Sequence, residues 1–150
     1  MKGISSIGHV AIRVKEIDRS LNFYVGKLGF SEMFRLEQNG RLWIVYLRVT
    51  DEQYVELFPD AVGDRAPPED TVGLNHLCLT VDDIDRVVAA IEEQGIPLFR
   101  PKKLAIDGNW QAWIQDPDGN RIELMQMADD CKQYEAIRRL AALRGMPASA

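Results

Sequence analysis

The sequence predicts an α+β fold built from two tandem βαβββ modules, followed by a C-terminal helix. Three observations predict it: an internal repeat, the same order of strand and helix patterns in each copy, and a separate helical pattern after the second copy. The phrase HVAIRVKEIDR begins at His9 and returns as HLCLTVDDIDR at His76. The same offset of 67 positions, from 9 to 76, aligns Trp43 with Trp110. The two halves therefore share one structural plan.

Each half begins with a strand and then a helix. Apolar residues alternate with polar ones over 10–14 and 77–81, which is the pattern of a strand with one buried face. Apolar residues then recur at helical spacing: Ile17, Leu21, Tyr24 and Leu28 in the first half, and Ile84, Val87, Val88 and Ile91 in the second. A glycine follows each helix, as is common at helix C-termini. These glycines, Gly29 and Gly95, are offset by 66 positions rather than 67, from 29 to 95.

Three further strands complete each half. The extended runs are FRLEQ, RLWIVYLRV and QYVELF in the first half, and PLFRP, WQAWIQ and RIELMQ in the second. The turn DPDGN indicates a hairpin between the last two strands. We expect a single domain over 1–150, with modules at 4–58 and 71–127, a polar linker at 59–70 and a helical tail at 128–150.

The composition predicts a soluble, cytoplasmic protein. No apolar stretch is long enough to span a bilayer, and the N-terminus lacks the pattern of a secretory signal, so we expect no membrane contact. The net charge of -5 repels polyanions and argues against a nucleic-acid partner. Cys78 and Cys131 lie in dissimilar settings and indicate neither a disulfide framework nor a thiolate zinc site.

Each half also places one histidine and one glutamate on the sheet face that its helix does not cover. Residues two apart on a strand share a face, and the apolar neighbours of Glu56 and Glu123 occupy the helix-facing side. His9 precedes Glu56 by 47 positions, and His76 precedes Glu123 by the same distance. If the halves pack about a pseudo-twofold axis with their sheets curling together, these four side chains converge.

Two imidazoles and two carboxylates suit a divalent transition metal such as Ni, Co, Zn, Fe or Mn. A single strand histidine is more often structural than a ligand, and a lone strand glutamate usually lies in solvent. Here both histidines of the chain and one glutamate in each half share one offset. That coincidence favours a metal site.

From residue 4 to about 127, the chain resembles the vicinal oxygen chelate superfamily of glyoxalase I, bleomycin-resistance proteins and extradiol dioxygenases. The phrases SLNFYVGKLGF and DPDGNRIELMQ carry the resemblance. It implies a cupped mixed sheet around one divalent metal, with Ni, Co or Zn expected, and a small-molecule substrate. It also implies a homodimer, often with exchanged modules. His9, Glu56, His76 and Glu123 fall on the family's ligand strands, and this set is most similar to that of bacterial glyoxalase I.

The resemblance implies a metal-dependent, lactoylglutathione lyase-like enzyme. Such an enzyme converts the hemithioacetal of a 2-oxoaldehyde into a hydroxyacyl thioester by proton transfer. Glu123 would be the leading base and Glu56 its symmetric counterpart, both being metal ligands at rest. Arg13 lies where glyoxalase I has an arginine that meets a glutathione carboxylate, although an ordinary exposed charge is an equal alternative.

Strand alternation in WQAWIQ predicts that Gln111 and Trp113 face the site and orient a small polar ligand. A core or subunit contact is the alternative for Trp113. Asp60 stands where glyoxalase I usually has an asparagine. Its charge would repel the carboxylates of glutathione, so the identity of the thiol substrate stays open. Other activities on this scaffold remain alternatives: a dioxygenase, an antibiotic-modifying transferase, or a non-catalytic small-molecule binding or resistance protein.

Overall fold

A computed structural model, which describes residues 3–143, contains both predicted modules. The first has β1 (His9–Arg13), α1 (Ile17–Leu21), a π-helical segment (Asn22–Lys27), β2 (Ser31–Gln38), β3 (Arg41–Arg48) and β4 (Tyr54–Phe58). The second has β5 (Leu77–Thr80), α2 (Ile84–Glu93), β6 (Arg100–Leu104), β7 (Trp110–Gln115) and β8 (Arg121–Gln126). A last helix, α3, spans Lys132–Leu143. The predicted α+β fold of two βαβββ modules and a C-terminal helix is confirmed.

Each module forms its own mixed four-stranded sheet, and both sheets have the same strand order. The orders are β1-β4-β3-β2 and β5-β8-β7-β6. The first and last strands of a module pair in parallel, whereas all other pairs are antiparallel. A parallel pair needs a long connection, which the helix and the two middle strands supply. The topology therefore places the two ends of each module side by side.

The apolar face of each sheet is buried. In the first module the fully or almost fully buried strand residues are Val45, Leu47, Val55 and Leu57, and in the second they are Ala112, Ile114, Ile122 and Leu124. Helix α2 contacts β7 and β8, and it buries Ile84 and Ile91. Each of these valine, leucine and isoleucine side chains contributes about 1.5–3 kcal/mol when it leaves water. This burial fixes which face of each sheet remains available for a site.

The π-helical segment accounts for the one-residue slip between the halves. The N–H of Leu28 donates to the carbonyl of Phe23, five residues earlier, so this turn holds one residue more than an α-helical turn. Helix α2 runs as an α-helix throughout. Both closing glycines have positive φ, 78° at Gly29 and 68° at Gly95, as a left-handed helix end requires. The offset is 67 again at Trp43 and Trp110, so the second half gains one residue between Gly95 and Trp110.

Strand β6 differs from its predicted position. The sequence predicts a strand around PLFRP, at 97–101, whereas β6 spans Arg100–Leu104. Pro101 lacks an N–H, and it is tolerated here because β6 is an edge strand that pairs with β7 alone. The register against β7 shifts between Arg100 and Lys103. The pairing of β6 is therefore irregular at its start, next to the apolar residues of PLFRP from which the strand was predicted.

The predicted terminal helix is confirmed, and its start is tied to the loop before β7. The N–H of Lys132 donates to the carbonyl of Asp107 at 2.9 Å. Gln133 donates to the Asp107 carboxylate at 2.7 Å and accepts from the Asn109 amide at 2.9 Å. Residues 144–150 of the predicted tail lie outside the described residues. Over 3–143, every helix is too short or too polar to cross a lipid bilayer.

The chain divides into two compact units whose boundary differs from that between the modules. The first unit runs to Asn75 and also includes Asp116–Asn120, the turn between β7 and β8. The second contains His76–Gln115 and continues from Arg121. The turn between the last two strands of the second module is thus part of the unit that contains the first module.

Buried hydrogen bonds hold this turn in the first unit. The Asp116 carboxylate accepts from the Tyr24 hydroxyl at 2.9 Å, from the Asp118 N–H at 3.0 Å and from the Asn120 N–H and side-chain amide, both at 2.8 Å. Burial, followed by the charge of Asp116, raises the pKa of Tyr24. Burial also raises the pKa of Asp116, against the effect of its donors. The predicted hairpin turn is confirmed, with Gly119 at φ 84°.

Tyr24→Phe should lower the free energy of unfolding by about 1–2 kcal/mol, because a buried carboxylate loses one donor. Urea unfolding measures this loss. Tyr54→Phe is the matched control, since the Tyr54 hydroxyl donates to the carbonyl of Asp51 at an exposed position, at 2.7 Å. An equal loss of unfolding free energy in both variants would show that the buried Tyr24–Asp116 hydrogen bond stabilises the fold no more than an exposed one.

Candidate metal centre

In the first module, parallel pairing brings His9 and Glu56 together on one sheet face. The register pairs His9 with Tyr54 and Ala11 with Glu56, so the two side chains lie on neighbouring strands, two residues apart. His9 Nδ1 is 3.5 Å from Glu56 Oε1. Glu56 is buried, with 5% of its surface exposed, whereas 53% of the His9 side chain is exposed. The pair therefore consists of a recessed carboxylate and an accessible imidazole.

The second module repeats this arrangement. Cys78 pairs with Glu123 in the register of β5 and β8, and His76 precedes Cys78 by two residues on the same face. His76 Nε2 is 3.1 Å from Glu123 Oε2. Glu123 is buried and the His76 side chain is partly exposed. Each module thus holds one histidine and one glutamate side chain close together.

The spacing within each pair suits a shared cation. Two atoms that both bind a transition metal at about 2.0–2.2 Å, with octahedral or tetrahedral angles, lie about 2.8–3.6 Å apart. The observed separations are 3.5 Å in the first module and 3.1 Å in the second. Among residues 3–143, no group of three or more histidine, cysteine, aspartate or glutamate side chains is placed to hold a metal ion. Each pair is thus half of the predicted ligand set, and the meeting of all four side chains stays a prediction.

Tyr46 is a site neighbour that sequence reasoning missed. It lies on β3 directly opposite Glu56 in the antiparallel register. Interaction of its hydroxyl with the Glu56 carboxylate, followed by burial, raises the pKa of Tyr46. The ring stacks on Phe34, with centroids 4.4 Å apart. The signal was present in the repeat, because the offset of 67 aligns Tyr46 with Trp113, which the sequence reasoning did select.

Cys78 is the corresponding neighbour of Glu123. Burial, followed by the charge of Glu123 and a hydrogen bond to it, raises the pKa of Cys78 to about 12. The thiol of Cys78, an exposed residue, is therefore protonated at neutral pH. Ala11 occupies the equivalent position in the first module, opposite Glu56.

Gln111 and Trp113 both lie beside the pair in the second module. Trp113 is opposite Glu123 in the register of β7 and β8. Its Nε1 donates to Gln111 Oε1 at 2.8 Å, and its ring meets the edge of His76, with centroids 4.7 Å apart. The Arg100 guanidinium lies 5.2 Å from the centre of the Trp113 ring. Trp113 is buried, so it forms a wall of the site rather than an exposed platform.

Arg13 shares a sheet face with His9 at the far end of β1. Arg13 is four positions after His9, which is about 13 Å along a strand. Its guanidinium lies 5.6 Å from the centre of the Phe58 ring, its partner in the register with β4. Arg13 is exposed and available to an anion at that distance from the imidazole. Its predicted contact with substrate stays a prediction.

Known proteins place this arrangement in a family. Residues 6–124 match the Glyoxalase/Bleomycin resistance protein/Dioxygenase superfamily. The chain belongs to this superfamily. The match extends from before β1 into β8 and so includes both histidine–glutamate pairs. The resemblance drawn from the sequence is confirmed.

Individual superfamily members show how far the likeness extends. The chain is 32% identical to the uncharacterized protein YwkD of Bacillus subtilis, with 82% of this chain and 98% of YwkD aligned. It is 27% identical to a lactoylglutathione lyase of Pseudomonas aeruginosa, with 79% and 80% aligned. A glyoxalase family protein of Enterococcus faecalis has the same fold at 32% identity and a TM-score of 0.71, covering 80% of this chain and 96% of that one.

The environment of Cys78 predicts slow alkylation. In metal-free Cys131→Ser protein at pH 8, iodoacetamide should modify Cys78 at least a hundredfold more slowly than an ordinary cysteine, because the thiolate is the nucleophile. The rate should rise about tenfold per pH unit between pH 8 and 10. Mass spectrometry of the modified peptide provides the measurement. Labelling as fast as that of a model thiol peptide would contradict the raised pKa.

Proposed function

We propose that the protein is a metal-dependent lyase of the glyoxalase I type. It would convert the hemithioacetal of a 2-oxoaldehyde and a thiol into a hydroxyacyl thioester. The observation that carries this proposal is the repeated histidine–glutamate pair, which has metal-ligand spacing in both modules. Likeness to a lactoylglutathione lyase supports the reaction class.

The proposed ligands of one divalent ion, Ni, Co or Zn, are His9, Glu56, His76 and Glu123. Neutral imidazole nitrogens and carboxylate oxygens are donors of the borderline hardness that these ions accept. The partly exposed histidines and recessed glutamates leave one side of each pair open to a ligand. A bound ion would supply Lewis acidity, stabilising negative charge on two adjacent substrate oxygens.

Proton transfer is assigned to the glutamates. Glu123 takes the proton from C1 of the hemithioacetal and returns it to C2, and the hydroxyl proton on the first oxygen moves to the second. The atoms balance without an external oxidant or reductant. A base must reach the proton and retain basicity, and a carboxylate that can leave its resting position meets both needs. Glu56 is the symmetric counterpart of Glu123 in the first module.

The remaining site residues are assigned to substrate binding. Gln111 and Trp113 border His76 and Glu123, where an amide and an aromatic ring orient a small polar group. Arg13 would hold a carboxylate of the thiol, because it lies exposed on the His9 face. We further propose a cytoplasmic homodimer, in which the ligand set can be completed by either chain.

Thioester formation tests the proposal. Protein stripped with EDTA and reloaded with Ni, Co or Zn should produce thioester absorbance from methylglyoxal and glutathione or another small thiol, whereas stripped protein should not. If metal-loaded protein forms no thioester with any thiol, the proposed reaction is wrong. Oxygen consumption with a catechol would favour a dioxygenase instead.

Glu123→Gln should lower turnover by about 10²–10⁴-fold, because the general base is lost. Metal occupancy, measured by elemental analysis, should fall much less. Glu93→Gln is the control, since Glu93 is exposed on α2 in the same unit, and it should change neither quantity. If metal occupancy and turnover fell by the same factor, Glu123 would be a metal ligand and not the base.

A further inference from the structure

The outer strand of the second sheet, β6, carries two cations on the face of the histidine–glutamate pair. Arg100 lies opposite Trp113 in the antiparallel register, and Lys103 lies opposite Gln111. Trp113 in turn lies opposite Glu123 on β8. Residues directly opposite each other in an antiparallel pair have their side chains on the same face. We call Arg100 and Lys103 the cationic edge.

The equivalent strand of the first sheet, β2, is apolar at the same two places. The repeat offset of 67 aligns β3 with β7, and the β3 residues equivalent to Gln111 and Trp113 lie opposite Leu36 and Phe34. Both of these apolar side chains are exposed. The fold therefore requires no charge at either position, and the cationic edge is a feature of the second module alone.

Lys102 shows what a cation on the other face of β6 does. Its Nζ lies 2.6 Å from both carboxylate oxygens of Asp85 and 4.6 Å from the centre of the Trp110 ring. Asp85 lies on α2, the helix that covers the opposite face of the sheet. A salt bridge thus accounts for Lys102, whereas the cationic edge lies on the face of the proposed centre.

Two aromatic rings hold the Arg100 guanidinium. Its central carbon lies 5.1 Å from the centre of the Phe99 ring and 5.2 Å from that of the Trp113 ring. Such stacking engages the flat face of a guanidinium, whereas its five N–H groups lie in its plane and fit the two oxygens of a carboxylate. The same indole meets the edge of the His76 ring, with centroids 4.7 Å apart. One ring therefore contacts both the cation and a proposed metal ligand.

We propose that the cationic edge binds a carboxylate of the substrate, so that the protein acts on an acidic hemithioacetal. This inference rests on the proposed function, because it names the class of molecule that the centre converts. Arg100 takes the carboxylate in a bidentate contact, and the exposed Lys103 adds positive charge beside it. Since the whole chain has a net charge of -5, attraction of an anion must come from such a local cluster.

Binding of acids to metal-free protein tests the inference without catalysis. Trp43→Phe with Trp110→Phe leaves Trp113 as the one tryptophan, and its fluorescence should change on titration with succinate or S-methylglutathione. In this background Arg100→Gln should weaken binding by about tenfold or more, the usual effect of losing a hydrogen bond to a charged group. Lys103→Gln should weaken it by about two- to fivefold, as for an exposed ion pair.

Lys102→Gln is the matched control, because it removes one positive charge from the same strand on the opposite face. It should change the affinity for either acid by less than about twofold, since solvent and salt screen a distant charge. Arg100→Lys should recover part of the lost affinity, because the charge remains without the planar fork. Succinamide and the diethyl ester of S-methylglutathione should bind wild-type and Arg100→Gln protein equally weakly.

Kinetics of the metal-loaded protein identify which half of the hemithioacetal carries the carboxylate. One substrate pair is glutathione with methylglyoxal, and the other is 2-mercaptoethanol with 4,5-dioxopentanoate. Arg100→Gln should raise KM for the acidic partner by about tenfold in at least one pair and leave kcat within about twofold. An unchanged KM in both pairs would show that the cationic edge does not contact the substrate.

The outcomes distinguish the inference from the proposed function. Wild-type protein that binds the acids no more tightly than their neutral counterparts would overturn the inference, as would wild-type affinity in Arg100→Gln. Thioester formation by such protein would leave the proposed function standing with a neutral substrate. Acid binding that is lost in Arg100→Gln, without thioester formation from any thiol, would support the cationic edge and overturn only the reaction.

Discussion

Parallel pairing between the first and last strand of each module is the constraint on which the rest of the site depends. A histidine and a glutamate that are 47 positions apart in the chain come within 3.1–3.5 Å because β1 lies beside β4 and β5 beside β8. The helix and two antiparallel strands between them provide the connection that parallel strands need. Burial of the apolar sheet face then leaves the opposite face to the polar pair. The geometry of each histidine–glutamate pair is thus a property of the βαβββ topology, not of any local motif.

Repetition of a module does not repeat its side-chain contacts. The triplet Ile-Asp-Arg occurs in both halves, yet Arg19 donates to Asp118 in the turn between β7 and β8, whereas Arg86 pairs with Asp82 on its own exposed surface. Likewise Tyr46 lies opposite Glu56, whereas Trp113 lies opposite Glu123. A duplicated fold thus supplies two equivalent positions whose neighbouring side chains differ.

The sequence was sufficient for the fold, because alternation and the shared offset predict its strands and helices. The same alternation predicts that one histidine and one glutamate share a sheet face in each module, and their role as metal ligands stays a prediction. The offset of 66 at Gly29 signalled an inserted residue, but its absorption by a π-helical segment depends on packing around Phe23 and Tyr24, which are both buried. Tyr46 lies opposite Glu56 because of the register of β3 against β4. The sequence of the turn between these strands did not predict that register. The Tyr24–Asp116 bond joins residues 92 positions apart and has no local signature.

The central claim is that the two pairs act on one cation. Metal stoichiometry tests it most directly: elemental analysis and titration of stripped protein should give one divalent ion per chain, and replacing either His9 or His76 by alanine should abolish that single site. Two ions per chain, each lost independently with one histidine, would show that the pairs bind separately. No uptake at all would leave the chain with the architecture of its superfamily and without the chemistry assigned to it.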